Sequence, residues 1–310
     1  MQISYTKAQE GKMSKDSIQL MNLCKLYGLE NKNGFANTYV EEIKLFKVSS
    51  NEELMPLLYK KGFSFVGSGK KIGYINNEKF EHGYLDYLVI SSPQPVECET
   101  YIMGDEPLIG IYINLDMNRL QKIVKKFTQF DSSDKIDKEV GFSITCNNRT
   151  EVIQNIYEKF LIMLEDEIQS DILSDGLLDE LYYRILQSNN ASMLIQLCQK
   201  DSNISKISRV VDHIVENIEQ NIDLNKMSKL ADMSVNNFHK LFKQAMNDTP
   251  IQYIKKIRLE KARHLILYNN MKVVEASNVV GYDNVSQFSR EFKRSFGHPP
   301  SQINKLSFRK

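Results

Sequence analysis

Two rhythms of apolar positions divide this chain. Residues 15–28 (KDSIQLMNLCKLYG) carry apolar side chains at helical spacing and stop at Gly28, which predicts a short helix. From Asn37 to about Leu115 the rhythm changes. TYVEEIKLFKV, FSFVGSGKKIGYI, YLDYLVIS, VECETYIM and LIGIYINL are short, rich in Val, Ile, Tyr and Phe, and separated by Gly, Pro, Asn and Asp. Such runs predict strands of a small antiparallel barrel or sandwich. Helical spacing returns over 116–127 and 149–169, and again over 177–186 and 193–199. The second of these has Ile153, Ile156, Tyr157, Phe160, Leu161 and Leu164 on one stripe. That stripe is expected to bury within its own domain, because a helix packed on a barrel needs such a face. The polar stretch 200–205 (KDSNIS) is the expected boundary, giving domains 1–200 and 201–310.

Beyond an amphipathic helix over 207–218, one pattern occurs twice, fifty residues apart. Phe238 matches Phe288, Phe242 matches Phe292, Lys243 matches Lys293, Pro250 matches Pro300 and Gln252 matches Gln302. Each copy reads as a short helix, a tight turn, a helix with a polar outer face and a proline-marked stop, which is a helix-turn-helix. In the first copy, 224–231 is the supporting helix and Ser234 caps the next one, 235–246. Phe238, Leu241, Phe242 and Ala245 fall at i, i+3, i+4 and i+7 and face inward. Asn236, Asn237, His239, Lys240 and Lys243 are left outward or on the flanks. In the second copy, 272–280 supports, Gly281 supplies a positive φ and Asn284 caps. Phe288, Phe292 and Phe296 point inward; Ser286, Gln287, Ser289, Arg290, Lys293 and Arg294 do not.

These outer residue types can hydrogen-bond to base edges and phosphates. Arg290 suits bidentate guanine recognition, whereas Lys293 and Arg294 suit phosphate clamping. Between the copies lies a long helix over 250–268. At 1.5 Å per residue it spans about 27 Å, close to one DNA turn of about 34 Å. It can therefore hold two recognition helices near successive major grooves on one DNA face.

Charge strengthens this picture. The net charge is +1, but 205–310 holds 18 basic and 10 acidic residues, so that segment is +8 and the remainder −7. One end is built to meet a polyanion. The N-terminus (MQISYTKAQEGK) is polar, without a signal-peptide apolar core, and no run reaches a membrane span, so a cytoplasmic protein with no membrane association is expected. The four cysteines are widely scattered and form no C-x-x-C pair, so zinc and redox motifs are absent.

Catalytic chemistry finds no support in the sequence. Of five histidines only His82 lies in the β-rich region, without a partner at metal-ligand spacing, so it reads as a turn or surface residue. GSGKK (67–71) reads as a hairpin turn rather than a phosphate loop, and no nucleophile elbow is present. No catalytic residue, metal site or cofactor is expected. The aromatic residues Phe63, Phe65, Tyr74, Phe80 and Tyr87, with Tyr84, are candidates for lining an apolar effector pocket; packing of the barrel core explains them equally well.

GYDNVSQFSREFKRSFGHPP (281–300) resembles the signature of the AraC/XylS family of bacterial transcription regulators, and IQYIKKIRLEKARHLIL (251–267) resembles that family's linker helix. The resemblance covers roughly 205–305. It implies groove contacts by Asn236, His239 and Lys240 in the first unit and by Ser286, Gln287 and Arg290 in the second. Asp232 stands where the family often has Gly, and Asp tolerates the left-handed conformation better than most residues. Lys240 stands where Arg is common, giving a point charge in place of a fork. Residues 15–200 are similar to the N-terminal domain of one subgroup. That implies a cupin-like β-barrel with packed helices, used for effector sensing or dimerisation. The fold class expected is α+β, with an all-α C-terminal domain of two helix-turn-helix units. The resemblance implies a DNA-binding regulator, more often an activator, with double-stranded DNA, RNA polymerase, a small-molecule effector and a second copy of the chain as partners. Two alternatives stay open: an effector-independent DNA-binding protein whose N-terminal domain only dimerises, and a cupin-like enzyme with an appended helical domain.

Overall fold

A computed structural model describes residues 15–75, 78–130, 144–220 and 222–303. The N-terminal stretch 1–12 lies outside them. Helix α1 (Lys15–Leu26) leads into strands β1 (Gly34–Asn37), β2 (Ile43–Val48), β3 (Glu52–Tyr59), β4 (Gly62–Ser68), β5 (Lys70–Ile75), β6 (Glu78–His82), β7 (Asp86–Ile90), β8 (Gln94–Tyr101) and β9 (Leu108–Asn114). Then come α2 (Met117–Phe130), β10 (Ile144–Asn148), α3 (Glu151–Met163), α4 (Glu167–Leu186) and α5 (Ala191–Cys198). The strands form two sheets, ordered β1-β2-β9-β4-β7-β10 and β3-β8-β5-β6. The β-rich N-terminal region followed by helices is the α+β architecture that the sequence predicts.

Strand alternation explains where the side chains go. Phe46, Val48, Val66, Leu88, Ile90, Leu108 and Tyr112 of the larger sheet cluster with Tyr59 and Phe80 of the smaller one. Phe63, Phe65, Tyr87, Ile109 and Ile111 leave the opposite face of the larger sheet and pack with Leu20, Leu23, Tyr157, Phe160 and Tyr182 of the helices. The larger sheet is covered on both faces, which is why β4 is buried at every position and β9 reads as a nearly continuous apolar run. Strand β8 instead alternates, with Val96 and Cys98 buried and Glu97 exposed. The stripe from Ile153 to Leu164 is buried within this region, as its spacing requires.

Several elements differ from the sequence expectation. The helix expected over 149–169 is broken: α3 ends at Met163, and Asp166 caps a new helix by accepting from Gln169 N. The helix expected over 177–186 is the second half of that α4, which runs through Gly176. Strand β3 was hidden by Pro56, which is tolerated because β3 is an edge strand. Strand β6 (EKFEH) was hidden by its charge, which suits the opposite edge. His82 is not a turn or surface residue. It shares the inward face of β6 with Phe80 and is 1% exposed.

The C-terminal region comprises α6 (Asn203–Glu216), α7 (Leu224–Leu230), α8 (Val235–Met246), α9 (Pro250–Tyr268), α10 (Val273–Val279), α11 (Val285–Phe296) and a 3-10 turn at Pro300–Gln302. The polar stretch 200–205 already contains the start of α6, because Ser202 caps it by accepting from Ser205 N. Phe238, Phe242, Phe288 and Phe292 are fully buried, each contributing about 1.5–3 kcal/mol of transfer free energy. The first helix-turn-helix shares one apolar cluster with the N-terminal region, continuing through Ile207, Val210 and Ile214 to Phe238, Phe242 and Tyr253. The second has its own cluster of Leu259, Ala262, Ile266, Val280, Phe288 and Phe292.

Helix α9 lies against the β region. Tyr253 Oη donates to Pro93 O at 2.7 Å from a buried position. Arg263 forms a two-pronged pair with Glu260, Nε to Oε2 at 2.8 Å and Nη2 to Oε1 at 2.7 Å, with side chains only 5% and 8% exposed. The same guanidinium contacts Met55 Sδ of β3 at 3.1 Å and sits 5.8 Å from the Phe296 ring of α11.

Arg263→Ala strands the Glu260 carboxylate in this seam and is expected to destabilise the protein by about 3–5 kcal/mol in urea denaturation; Glu260→Leu combined with Arg263→Met is expected to recover most of that loss. Burial, with Arg149 and Lys71 nearby, pushes the His82 imidazole down to about 3. The unfolded chain therefore binds this proton below about pH 6.5 while the folded protein refuses it. Stability relative to His82→Leu should fall by about 1.4 kcal/mol per pH unit between pH 6 and 4.5, read by denaturation at each pH; parallel curves for the two proteins would contradict a buried neutral imidazole.

Candidate nucleic-acid interface

The two copies of the repeat build the same local geometry from different residues. In the first, Ala231 ends the supporting helix, Asp232 takes φ 52°, and Ser234 Oγ accepts from Asn237 N at 3.4 Å to start α8. In the second, Val280 ends the helix, Gly281 takes φ 80°, and Asn284 Oδ1 accepts from Gln287 N at 2.9 Å to start α11. The turn of the second copy is one residue longer. Met233 N bonds Ser228 O and Tyr282 N bonds Ser277 O, both at 3.0 Å, so Met233 and Tyr282 occupy equivalent places. Both recognition helices end on a left-handed residue, Asn247 at φ 55° and Gly297 at φ 77°.

Glycine is required at 281 for contact as well as for φ. A Cβ there would lie 2.6 Å from Glu219 O and 2.9 Å from Arg258 Nη2. Arg258 of α9 donates to Ile218 O, Gln220 O and Gly281 O at 2.8–3.0 Å. It thereby ties the turn of the second unit to the loop after α6. This role leaves no trace along the chain, because three backbone acceptors make no side-chain pattern.

Asn236, Asn237, His239, Lys240 and Lys243 are all exposed on α8. On α11, Ser286, Gln287, Arg290, Lys293 and Arg294 are exposed and Ser289 is partly so. Each set therefore shares one helix, on the side opposite the buried phenylalanines. Gln287 differs from the others: its Nε2 donates to Glu291 Oε1 at 3.2 Å. Glu291 also accepts from Lys255 Nζ at 3.1 Å and Tyr282 Oη at 2.8 Å. Glu291 is not among the residues that the sequence pattern singles out. The available signal was an acid four residues after Gln287, on an otherwise basic helix, at a spacing that places the two side by side.

The aromatic residues proposed to line a pocket do not converge. Phe63, Phe65 and Tyr87 face the helices, where Phe65 stacks on Tyr87 at 5.6 Å and on Tyr157 at 5.5 Å, and Phe63 meets Tyr182 edge-on at 5.2 Å. Phe80 lies between the sheets, and Tyr74 Oη reaches Glu99 at 3.3 Å. Phe63, Phe65 and Tyr87 belong to the larger sheet and Tyr74 and Phe80 to the smaller, so the two groups face different compartments. A different group of residues gathers at the α9 seam. Lys60 lies within electrostatic range of Lys44 and Lys261, and His264 within range of Lys60 and Arg263; none of Lys44, Lys60, Lys261 and His264 has an ion-pair partner among the described residues. Desolvation, with Lys44 and Lys261 alongside, holds the Lys60 ammonium below its usual value; desolvation and Lys60 do the same to His264.

Residues 39–193 match the family described as AraC-type transcriptional regulator N-terminus, and residues 227–305 match a helix-turn-helix domain. The chain is 29% identical over 99 residues to the HTH-type transcriptional regulator GbdR of Pseudomonas aeruginosa, covering 32% of this chain and 27% of that protein. It is 22% identical over 152 residues to the HTH-type transcriptional activator RhaS of Escherichia coli, covering 49% of this chain and 54% of that one. The chain thus spans about a quarter to about half the length of these relatives. The crystal structure of ToxT from Vibrio cholerae with a bound unsaturated fatty acid shares the fold, with TM-score 0.60 and 13% identity over 84% of this chain and 94% of that one. With its N-terminal half matched to the family and its C-terminal region to a helix-turn-helix domain, the chain belongs to the AraC-type transcriptional regulators.

Proposed function

We propose that this protein is a sequence-specific DNA-binding transcriptional activator that reads two adjacent major grooves through α8 and α11. The observation that carries the reading is the paired exposed polar faces of those two helices, each backed by buried phenylalanines and joined by the 19-residue helix α9. Residues 201–310 form the DNA-binding domain and 1–200 the sensing or dimerisation domain. Arg290 reads a guanine; Lys243, Lys293 and Arg294 hold phosphates; Asn236, Asn237, His239, Lys240, Ser286, Gln287 and Ser289 complete the contact surface. The activator assignment follows the name of the relative RhaS, and it makes RNA polymerase a partner.

The effector reading rests on the α9 seam. ToxT has been solved with an unsaturated fatty acid and with a naphthalenyl-butenoic acid, and both ligands are carboxylic acids. Lys44, Lys60 and Lys261 offer positive charge, with His264 beside them as a neutral hydrogen-bonding group, where the β region meets the helix that joins the two DNA-reading units. An anionic effector seated there would touch both regions, and its preference for one arrangement over the other would set the regulatory state.

Selection from random duplex DNA is expected to return two blocks about one helical turn apart. Arg290→Ala should relax one position of one block and cost about 1–3 kcal/mol in binding; an unchanged preference in that variant would refute the assignment of α11. For the effector, oleate titrated into the full chain is expected to bind, with Lys60→Ala weakening it about tenfold or more through loss of a charge-assisted contact. Equal oleate affinity in Lys60→Ala would remove the seam as its seat.

A further inference from the structure

Gln287 belongs to the surface assigned to base contacts, yet its side chain is already engaged in the free protein. Its Nε2 donates to Glu291 Oε1, one turn further along α11. Glu291 is itself gripped from two rigid directions. Tyr282 Oη reaches Oε2 from the turn, and Lys255 Nζ reaches Oε1 from α9. Tyr282 cannot drift, because its ring is 8% exposed and lies edge-on to Phe288 at 5.3 Å. Desolvation pushes the Glu291 carboxyl up, but the three donors outweigh it and hold the group below its usual value. The carboxylate is therefore charged at neutral pH and can only accept hydrogen bonds.

An acceptor-only partner decides which way the Gln287 amide points. The NH2 group must face Glu291, so the carbonyl oxygen Oε1 and the second N–H remain for a ligand. In the major groove that pair matches adenine, which offers a donor at N6 and an acceptor at N7. The lone carbonyl also matches the N4 donor of cytosine. Guanine and thymine present only acceptors at the corresponding edge: the second N–H could meet one, but the carbonyl oxygen beside it would find no donor.

The first unit lacks this device. Met233 stands where Tyr282 stands, and Leu241 stands fifty residues before Glu291. Asn237, the counterpart of Gln287, has no side-chain hydrogen bond among the described residues and is exposed. Its amide is free to turn either end toward a base.

We propose that Glu291 is a positioning residue that locks the Gln287 amide, so that the second unit selects adenine or cytosine at one position while the first unit reads its equivalent position permissively. This rests on the two-groove reading above. The test uses the full chain, selection from random duplex DNA at fixed salt, and the variants Glu291→Ala, Glu291→Gln, Gln287→Ala and the double alanine variant. Wild type should favour adenine or cytosine at one position of the second unit's block by at least about fivefold over guanine or thymine. Glu291→Ala should even out that position while leaving the Arg290 position, the other block and the salt dependence as they were. Glu291→Gln, which can donate as well as accept, should admit guanine or thymine. The double variant should bind no more weakly than Gln287→Ala. Amide side-chain NMR of the DNA-free protein supplies a separate readout: a restricted Gln287 NH2 in wild type that becomes mobile in Glu291→Ala, with the backbone spectrum and melting temperature reporting the fold. Guanine or thymine at the wild-type position, an unchanged preference in Glu291→Ala, a uniform loss at all positions, or an equally mobile Gln287 in wild type would each overturn the inference alone. A wild type that returns no motif would remove the two-groove reading, and this inference with it.

Discussion

Everything in this molecule leans on helix α9. Tyr253, Ile254 and Ile257 bury into the first helix-turn-helix and the N-terminal core, while Leu259, Ala262 and Ile266 bury into the second. Its third neighbour is the β region, reached through Tyr253 to Pro93, Arg263 to Met55, and Tyr268, whose ring a Cβ on Gly34 would meet at 3.4 Å. A helix with apolar residues on one stripe serves one neighbour, whereas this one spreads them around its circumference and serves three. The buried Glu260–Arg263 pair sits on the face turned to β3. Such a pair adds little net stability but penalises arrangements that expose only one partner to a dry environment.

The two DNA-reading units are therefore held unequally. The first shares its apolar cluster with the N-terminal region, and even the end of its recognition helix touches it, where Ser92 Oγ lies 4.0 Å from Met246 Sδ. The second has a separate cluster and is attached through α9, Arg258 and the Gly281 turn. Close packing makes a shared core stiff, so a change in the N-terminal region is felt first by α8. The second unit gains its order locally, from Tyr282, Glu291 and Lys255. One repeat has thus acquired two kinds of preorganisation, one supplied by a neighbouring domain and one by a side-chain network.

Much of the fold was legible along the chain. The spacing of Phe238, Phe242, Phe288 and Phe292 placed the recognition helices, and Ser234 and Asn284 marked their starts, because caps and apolar stripes are local properties. The central strands β2, β4, β7 and β9 of the larger sheet showed in the sequence, whereas its short outer strands β1 (GFAN) and β10 (ITCNN) did not. What stayed hidden were elements whose identity depends on neighbours: β3 with Pro56 and β6 with its charges are strands because they lie at sheet edges. His82 was misread for the same reason. Its burial follows from the register of β6 with Lys71 of β5, which no local pattern reports. Of the aromatics proposed as one pocket, Phe63, Phe65 and Tyr87 lie together against the helices, while Tyr74 and Phe80 belong to the other sheet.

The repeat, the polar faces of α8 and α11 and the basic C-terminal third can be read off the amino-acid order, since periodicity, capping and charge are written residue by residue. Only the packed structure brings Glu291 to Tyr282 and Lys255, ties Gly281 to the loop after α6 through Arg258, and puts Lys60 within electrostatic range of Lys261. Those contacts join residues up to about two hundred positions apart or lie across a turn whose length differs between the repeats. Only the packing of α9 against its three neighbours brings them within the few ångströms over which hydrogen bonds and charges act.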